Sequence, residues 1–233
     1  MLVARLELSG AARVRKMPKS ALIAGSTGLV GWHCVDFLLA SPEYASVTAL
    51  VRRSGGVKNP KLHEQIVDFN QLTNLTAADD IYCALGTTIK KAGSQPAFRR
   101  VDFEYPLRLA ELSLAAGAKQ FLLVSSVGAN SKSGNFYLRT KGELEDALRQ
   151  LSFTALHIFR PSFLVGERKE QRAGERLGIV LAEAMKFAMV GGLRKYRSIP
   201  AETVAKAMVI AASGGFTGVH VYEYDDIEKL VAG

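Results

Sequence analysis

Ala21-Leu22-Ile23-Ala24-Gly25-Ser26-Thr27-Gly28-Leu29-Val30-Gly31 sets the architecture of this chain. A short apolar run, a glycine turn and the start of an amphipathic helical stretch follow one another there. Glycines let the backbone turn sharply and approach a ligand closely. A helix start points unpaired N–H groups and partial positive charge at an anion. Strand, glycine turn and helix in this order make a phosphate-binding corner. The spacing Gly-x-x-Gly-x-x-Gly has one more residue between its first two glycines than the common dinucleotide fingerprint. The ligand expected here is a dinucleotide held by its pyrophosphate.

The end of the next apolar run, Val47-Thr48-Ala49-Leu50-Val51, indicates which dinucleotide. A site selective for NAD places Asp or Glu about 20 residues after the glycines, on the ribose 2′-hydroxyl. This chain has Arg52 and Arg53 there, with no acid beside them. Two guanidiniums suit a 2′-phosphate through charge and forked hydrogen bonds. The expected cofactor is NADP(H).

Working outward, Leu29 to Ala40 reads as a helix ended by Ser41-Pro42, and His63 to Val67 and Asp80 to Gly86 read as strands. Apolar residues at spacings of three and four predict one helix from Phe98 to Ala116, stopped by Gly117. Gln120 to Ser125 is a nearly all-apolar strand, Tyr137 to Gln150 a helix and Ala155 to Phe159 another strand. Alternating strands and helices predict an α/β fold: a Rossmann-type, doubly wound parallel sheet with helices on both faces. Beyond Pro161 the pattern loosens into a charged stretch, helices over 177–190 and 200–212, and a short strand at Val219 to Tyr224. The expected organisation is a disordered extension over residues 1–18, then a single domain over 19–233. Its tail, from about 165, is expected to form a small cap over the site.

Composition limits the function classes. The 233 residues are 48% hydrophobic and 22% charged, as in ordinary globular proteins, and no apolar run has the length of a bilayer span. Cys34 and Cys83 are far apart and read as buried reduced thiols, and the four histidines show no ligand spacing. A cytoplasmic location is expected, with no metal. The net charge of +8 raises a nucleic-acid hypothesis, but half of it lies in residues 1–20, five cations against Glu7. The rest is spread thinly, without a basic stripe interleaved with aromatics. Neither nucleic acid nor membrane is an expected partner; a homodimer is compatible with the fold.

Tyr137-Leu138-Arg139-Thr140-Lys141 places a phenol and an ammonium one helical turn apart on one face. A nearby cation stabilises phenolate, so the phenol can give a proton to a carbonyl oxygen that receives hydride. Lys141 could also hold the nicotinamide ribose. Ser125 and Ser126 end the preceding strand, at the carboxyl edge where open α/β sheets bind ligands. Ser126 is the expected holder of the substrate oxygen, since the last strand residue tends to point into structure. His157 reads as a satisfied interior residue and Trp32 as packing in preference to a stacking platform, while Arg168 could reach a phosphate or remain solvated.

These motifs carry a resemblance. The glycine turn, Ser126, Tyr137 and Lys141 resemble the Ser-Tyr-Lys set of the short-chain dehydrogenase/reductase superfamily. More narrowly, CALGTT from Cys83 with the following KKAG, then RVDFEYP, LLVSSVGAN, FYLRTKGELE and FRPSFLVGER resemble the Tat-interactive-protein-like family of atypical reductases. The resemblance implies NADPH binding on a Rossmann core. It places Gly25, Thr27, Gly28, Leu29, Val30 and Gly31 around the pyrophosphate, Arg52 and Arg53 at the 2′-phosphate, and Asp68 with Phe69 by the adenine. Leu85, Gly86 and Thr87 would line the adenosine ribose and diphosphate. Ser125, Lys141, Pro161, Phe163 and Leu164 would complete the cofactor pocket on the nicotinamide side. Two departures stand out. Asp102 occupies a region where many superfamily members carry Asn, and the gap from Ser126 to Tyr137 is short. The expected activity is NADPH-dependent reduction of a small carbonyl compound. The alternatives are an NADP(H)-sensing protein with little catalysis, or an enzyme like the sugar-nucleotide epimerases and dehydratases.

Overall fold

Each central strand is apolar on both sides, so it needs cover on both faces, and that requirement builds three layers. The computed structural model describes residues 17–56, 58–166 and 191–233. Residues 1–16 of the expected extension, the helix over 177–190 and Arg168 lie outside the described residues. The main sheet takes β1 (Lys19–Ala24), β2 (Tyr44–Val51), β3 (Leu62–Ile66), β4 (Asp80–Cys83), β5 (Gln120–Val124) and β6 (Ala155–Phe159). A seventh strand, β9 (Gly218–Tyr222), completes it, in the order β3-β2-β1-β4-β5-β6-β9 with every pairing parallel. This is the predicted doubly wound Rossmann-type sheet. A separate two-stranded sheet joins β7 (Leu164–Val165) to β8 (Ile199–Pro200).

Alternation along the strands divides the core in two. Ala21, Ile23, Ala49, Tyr82, Leu122 and Phe159 face one side, against Val30, Cys34 and Leu38 of α1 (Leu29–Ala40). Val204, Met208 and Ala211 of a later helix (Ala201–Ser213) complete that layer. Leu22, Ile81, Cys83, Leu123 and Ile158 face the other side. Their partners are Leu109 and Ala110 of α4 (Tyr105–Ala115) and Leu144 and Leu148 of α5 (Phe136–Arg149). Cys34 and Cys83 are free, buried thiols, and burial pushes the Cys83 thiol up to about 12.

Two elements differ from the sequence reading. The helix expected over Phe98 to Ala116 is divided into α3 (Gln95–Arg99), a π-helical turn (Arg100–Glu104) and α4, after the single-turn α2 (Ile89–Ala92). Pro106 has no N–H to donate and its ring crowds the carbonyl four residues back, so the chain widens just before it. The Tyr105 N–H accordingly bonds five residues back, to the Arg100 carbonyl. Part of the tail assigned to a cap belongs instead to the main domain. Helix Ala201–Ser213 packs on α1, where Cys34 Sγ lies 3.9 Å from Met208 Sδ, and β9 hydrogen-bonds to β6. The last described helix (Tyr224–Ala232) follows β9.

Candidate functional site

The glycine corner joins β1 to α1 with almost no free volume. Gly25 sits at φ +90°, and a Cβ there would stand 2.5 Å from the Ala84 carbonyl carbon and oxygen at the end of β4. A Cβ on Gly31 would come within 2.1 Å of the Gly25 oxygen, so only glycine lets α1 lie against the turn. The Gly28 N–H donates to the Gly25 carbonyl at 2.9 Å. Thr27 and Gly28 are exposed, Leu29 is half-buried, Val30 and Gly31 are buried, and the first turn of α1 carries no acid and no side-chain cap. That leaves a helix start open to an anion. A Cβ on Gly166 would lie 3.0 Å from Leu29 Cδ1, so the segment after β7 passes over this helix start. Trp32, expected as packing, is 42% exposed beside it.

Arg52 and Arg53 follow β2 and are exposed, and neither forms an ion pair among the described residues. Beside them Glu64 on β3 accepts the Ser54 hydroxyl at 2.5 Å and the Gly55 N–H at 2.9 Å. These hydrogen bonds, Ser54 first, hold its carboxyl below the usual range. Asp68 accepts the Asn70 backbone and side-chain N–H groups, both at 2.9 Å, and caps the turn Phe69–Gln71. Phe69 stacks on Tyr105 with ring centroids 5.6 Å apart.

Leu85, Gly86 and Thr87 leave the carboxyl end of β4, and beneath them lies the electrostatic centre of the site. The π-helical turn holds Asp102 inward and buried. Its Oδ2 accepts the Thr87 N–H at 2.9 Å and its Oδ1 stands 2.8 Å from Lys141 Nζ. Both members of this ion pair are buried. Burial alone would lower the Lys141 ammonium's pKa. The Asp102 carboxylate, with Tyr137 adding to it, outweighs that and leaves the pKa above the ordinary value. Lys141 is therefore a charged group inside the protein.

Asn135 caps α5 by accepting the Leu138 N–H at 3.2 Å, which starts the helix just ahead of Tyr137. Tyr137 is half-buried, its ring 5.5 Å from that of Phe98. A Cβ on Gly142 would come within 2.2 Å of the Asn130 and Ser131 backbone, so the loop after β5 lies directly on α5 beside Lys141. Ser126 is half-buried with one long contact, 3.4 Å, to the Val127 carbonyl. Ser125 is buried and its hydroxyl donates to Glu145 at 2.5 Å, so its side chain is committed to the interior. Pro161 is buried and its carbonyl accepts the Val127 N–H at 3.0 Å. Leu164 is half-buried in β7, whereas Phe163 is 74% exposed.

The fold thus gathers the corner, the β4 end, Ser126, Tyr137 and Lys141 at the carboxyl edge of the sheet, with Arg52 and Arg53 just after the neighbouring strand β2. Sequence reasoning missed Glu145 and Gly142. Glu145 carried a signal, four residues after Lys141 on the same helical face. A glycine inside a helix is a signal of close backbone approach, and Gly142 is such a site.

The family model described as HIM1 matches residues 47–187. HTATIP2 of Rattus norvegicus is 35% identical over 198 residues, covering 82% of this chain and 80% of that protein. "Protein FMP52, mitochondrial" of Candida albicans is 34% identical over 225 residues, covering 91% of this chain and 97% of that protein. Among solved structures, a UDP-N-acetylglucosamine 4-epimerase of Methanobrevibacter ruminantium superposes with a TM-score of 0.66 at 15% identity, over 89% of this chain and 77% of its own. The Helicobacter pylori ADP-L-glycero-D-manno-heptose-6-epimerase gives 0.65 at 19%, over 93% and 81%. At these identities the two structures confirm the fold alone. The cytoplasmic location expected from the sequence is corrected by the FMP52 relatives, which several fungi share and whose names are mitochondrial. Reduced thiols and ordinary composition fit either compartment, so they never discriminated between the two. The chain belongs to the HIM1 family, an HTATIP2-like branch built on the fold of the short-chain dehydrogenase/reductases.

Proposed function

We propose that this protein is an NADPH-dependent reductase of a small carbonyl substrate. The observation that carries the reading is the charged, buried Lys141, held by Asp102 under Gly86-Thr87 and one turn from Tyr137. The corner suits a dinucleotide: Gly25 and Gly31 leave no room for a Cβ, and the start of α1 offers N–H groups and no acid. Arg52 and Arg53, exposed after β2 and with no acid adjacent in the sequence, support the phosphorylated form. When bound, reduced nicotinamide supplies a hydride to the carbonyl carbon. Tyr137 Oη gives its proton to the carbonyl oxygen, completing the alcohol, and the Lys141 cation stabilises the phenolate left behind. Ser126 Oγ orients the same oxygen. The names of the FMP52 relatives support a mitochondrial location for this activity.

The test is isotope transfer from NADPH labelled at its reactive carbon to a library of small carbonyl compounds, comparing wild type with Tyr137→Phe. Label should appear in one or more alcohols with wild type and fall about 100-fold or more with the variant. No transfer to any compound, with NADPH affinity intact, would overturn the reductase. One observation favours a second reading, an NADP(H) sensor. The Asp102 carboxylate at 2.8 Å offsets part of the charge that Lys141 would otherwise apply to Tyr137.

A further inference from the structure

Glu145 is a buried carboxylate with no part in the proton transfer just described. It stands on α5 one turn beyond Lys141 and two beyond Tyr137, on the same helical face. Its oxygens accept Ser125 Oγ at 2.5 Å, Arg160 Nε at 3.0 Å and Arg160 Nη2 at 2.5 Å, while Arg149 Nη2 comes within 3.6 Å. Hydrogen bonding to Glu145 holds the Arg160 guanidinium above its ordinary pKa, so it stays charged. Arg160 Nη1 also faces Glu223 at 3.9 Å. The backbone repeats the connection: the Ser125 N–H donates to the Phe159 carbonyl at 2.7 Å, and the Arg160 N–H to the Tyr222 carbonyl at 2.8 Å. The carboxyl ends of β5 and β6 therefore meet the Tyr137 helix at one carboxylate, and β9 joins them through Arg160.

We propose that Glu145 and Arg160 are positioning residues that set the nicotinamide half of the cofactor pocket. The inference rests on the cofactor reading above. A forked guanidinium–carboxylate pair fixes distance and plane together, which a point charge cannot do. The two strand-end residues gripped here, Ser125 and Arg160, each precede a residue assigned to the site, Ser126 and Pro161. The clasp thus fixes α5 against both, without touching the corner or the Arg52-Arg53 end that would take the adenosine half. A buried ion pair is a poor source of net stability, since its desolvation consumes most of the attraction. Its service here is registration of the helix on the sheet.

The experiment measures, by calorimetry on the full chain, affinities for NADPH and for adenosine 2′,5′-bisphosphate, which lacks the nicotinamide. It adds the emission of bound NADPH. Wild type, Glu145→Gln and Arg160→Lys are compared, with unfolding curves alongside. The expected result is adenosine 2′,5′-bisphosphate affinity held within about twofold and NADPH affinity weakened about tenfold or more, with bound-NADPH emission shifted towards that of free cofactor. Arg160→Lys keeps the charge and loses the fork, so it carries the test if Glu145→Gln does not fold. A folded variant with an unchanged affinity ratio and emission would overturn positioning, and so would loss of folding in both variants, which assigns the clasp to stability. Wild type that binds neither ligand removes the cofactor reading and this inference with it.

Discussion

A buried ammonium is tolerable at Lys141 because one carboxylate oxygen of Asp102 lies 2.8 Å away. Cutting that carboxylate off leaves an uncompensated charge among apolar neighbours, a loss on the order of 3–5 kcal/mol. Asp102→Ala should therefore destabilise strongly, while Asp102→Ala combined with Lys141→Met should recover much of the loss. Urea unfolding of the two singles and the double checks this, and additive losses would refute it. The sign with pH follows from the raised Lys141 pKa: the contribution is complete below the unfolded-state value and is lost only as pH rises through the folded one. At neutral pH the pair is fully in force. Gly142 has a steric argument of its own. A Cβ there would meet the Asn130–Ser131 backbone at 2.2 Å, so Gly142→Ala must push away the loop that carries Ser126. The expected cost is about 1–3 kcal/mol despite alanine's better helix propensity, and a gain in the urea midpoint would contradict it.

Helix α5 shows why elements were more legible than contacts. Its bounds were expected at Tyr137 to Gln150 and are Phe136–Arg149, because Asn135 offers a cap and the apolar residues keep a helical period. That same period exposed Tyr137 and Lys141 as a pair. Glu145 sits in phase with them but reads as a solvated charge in a segment rich in Glu, Asp and Arg. Its partners Ser125 and Arg160 are 20 and 15 residues away, and only the fold brings them in. The helix after β4 failed for a local reason: periodicity ran through Pro106, and the π-helical turn before it is what aims Asp102 inward. In the tail, β9 was visible as a short strand, but its place beside β6 depends on topology that residue patterns do not encode. The cap of α5 gives the prediction proper to this scale. Asn135→Ala should cost about 1 kcal/mol, read as a fall in the urea midpoint, with Asn135→Asp restoring it. Equal losses in the two variants would mean that the side-chain oxygen is not what starts the helix.

Across the whole sheet, polar groups form one chain at the face covered by α1 and helix Ala201–Ser213. Tyr82 and Tyr44 hydroxyls lie 2.9 Å apart, and Tyr44 donates to Asp80 Oδ2 at 2.7 Å, which Lys19 Nζ also reaches at 3.0 Å. Gln120 Nε2 donates to Asp80 Oδ1 at 2.9 Å and to the Ala212 carbonyl at 3.0 Å. Its Oε1 can then only accept, at 3.2 Å from His157 Nε2, which assigns the proton to that nitrogen. His157 Nδ1 is left to accept from Tyr222 Oη at 3.0 Å. The chain thus links β2, β4, β1, β5, β6 and β9, and in this direction it runs through a neutral His157. Burial, with His220 and Lys19 as nearby positive charge, lowers its pKa to about 4. For a base with a depressed folded pKa, the unfolded chain takes up the proton first as pH falls. Stability from this group is complete above about 6.5, drains between there and about 4, and amounts to about 3 kcal/mol. Carboxylates titrate in the same range, so the difference between wild type and His157→Gln isolates the histidine. Glutamine can keep a donor towards Gln120 and cannot charge, so the variant's urea midpoint should fall less steeply from pH 7 to pH 4.5. Parallel acid profiles for the two proteins would show that His157 is already protonated in the folded state or is readily hydrated there, and the His157 Nδ1–Tyr222 hydrogen bond would then run the other way.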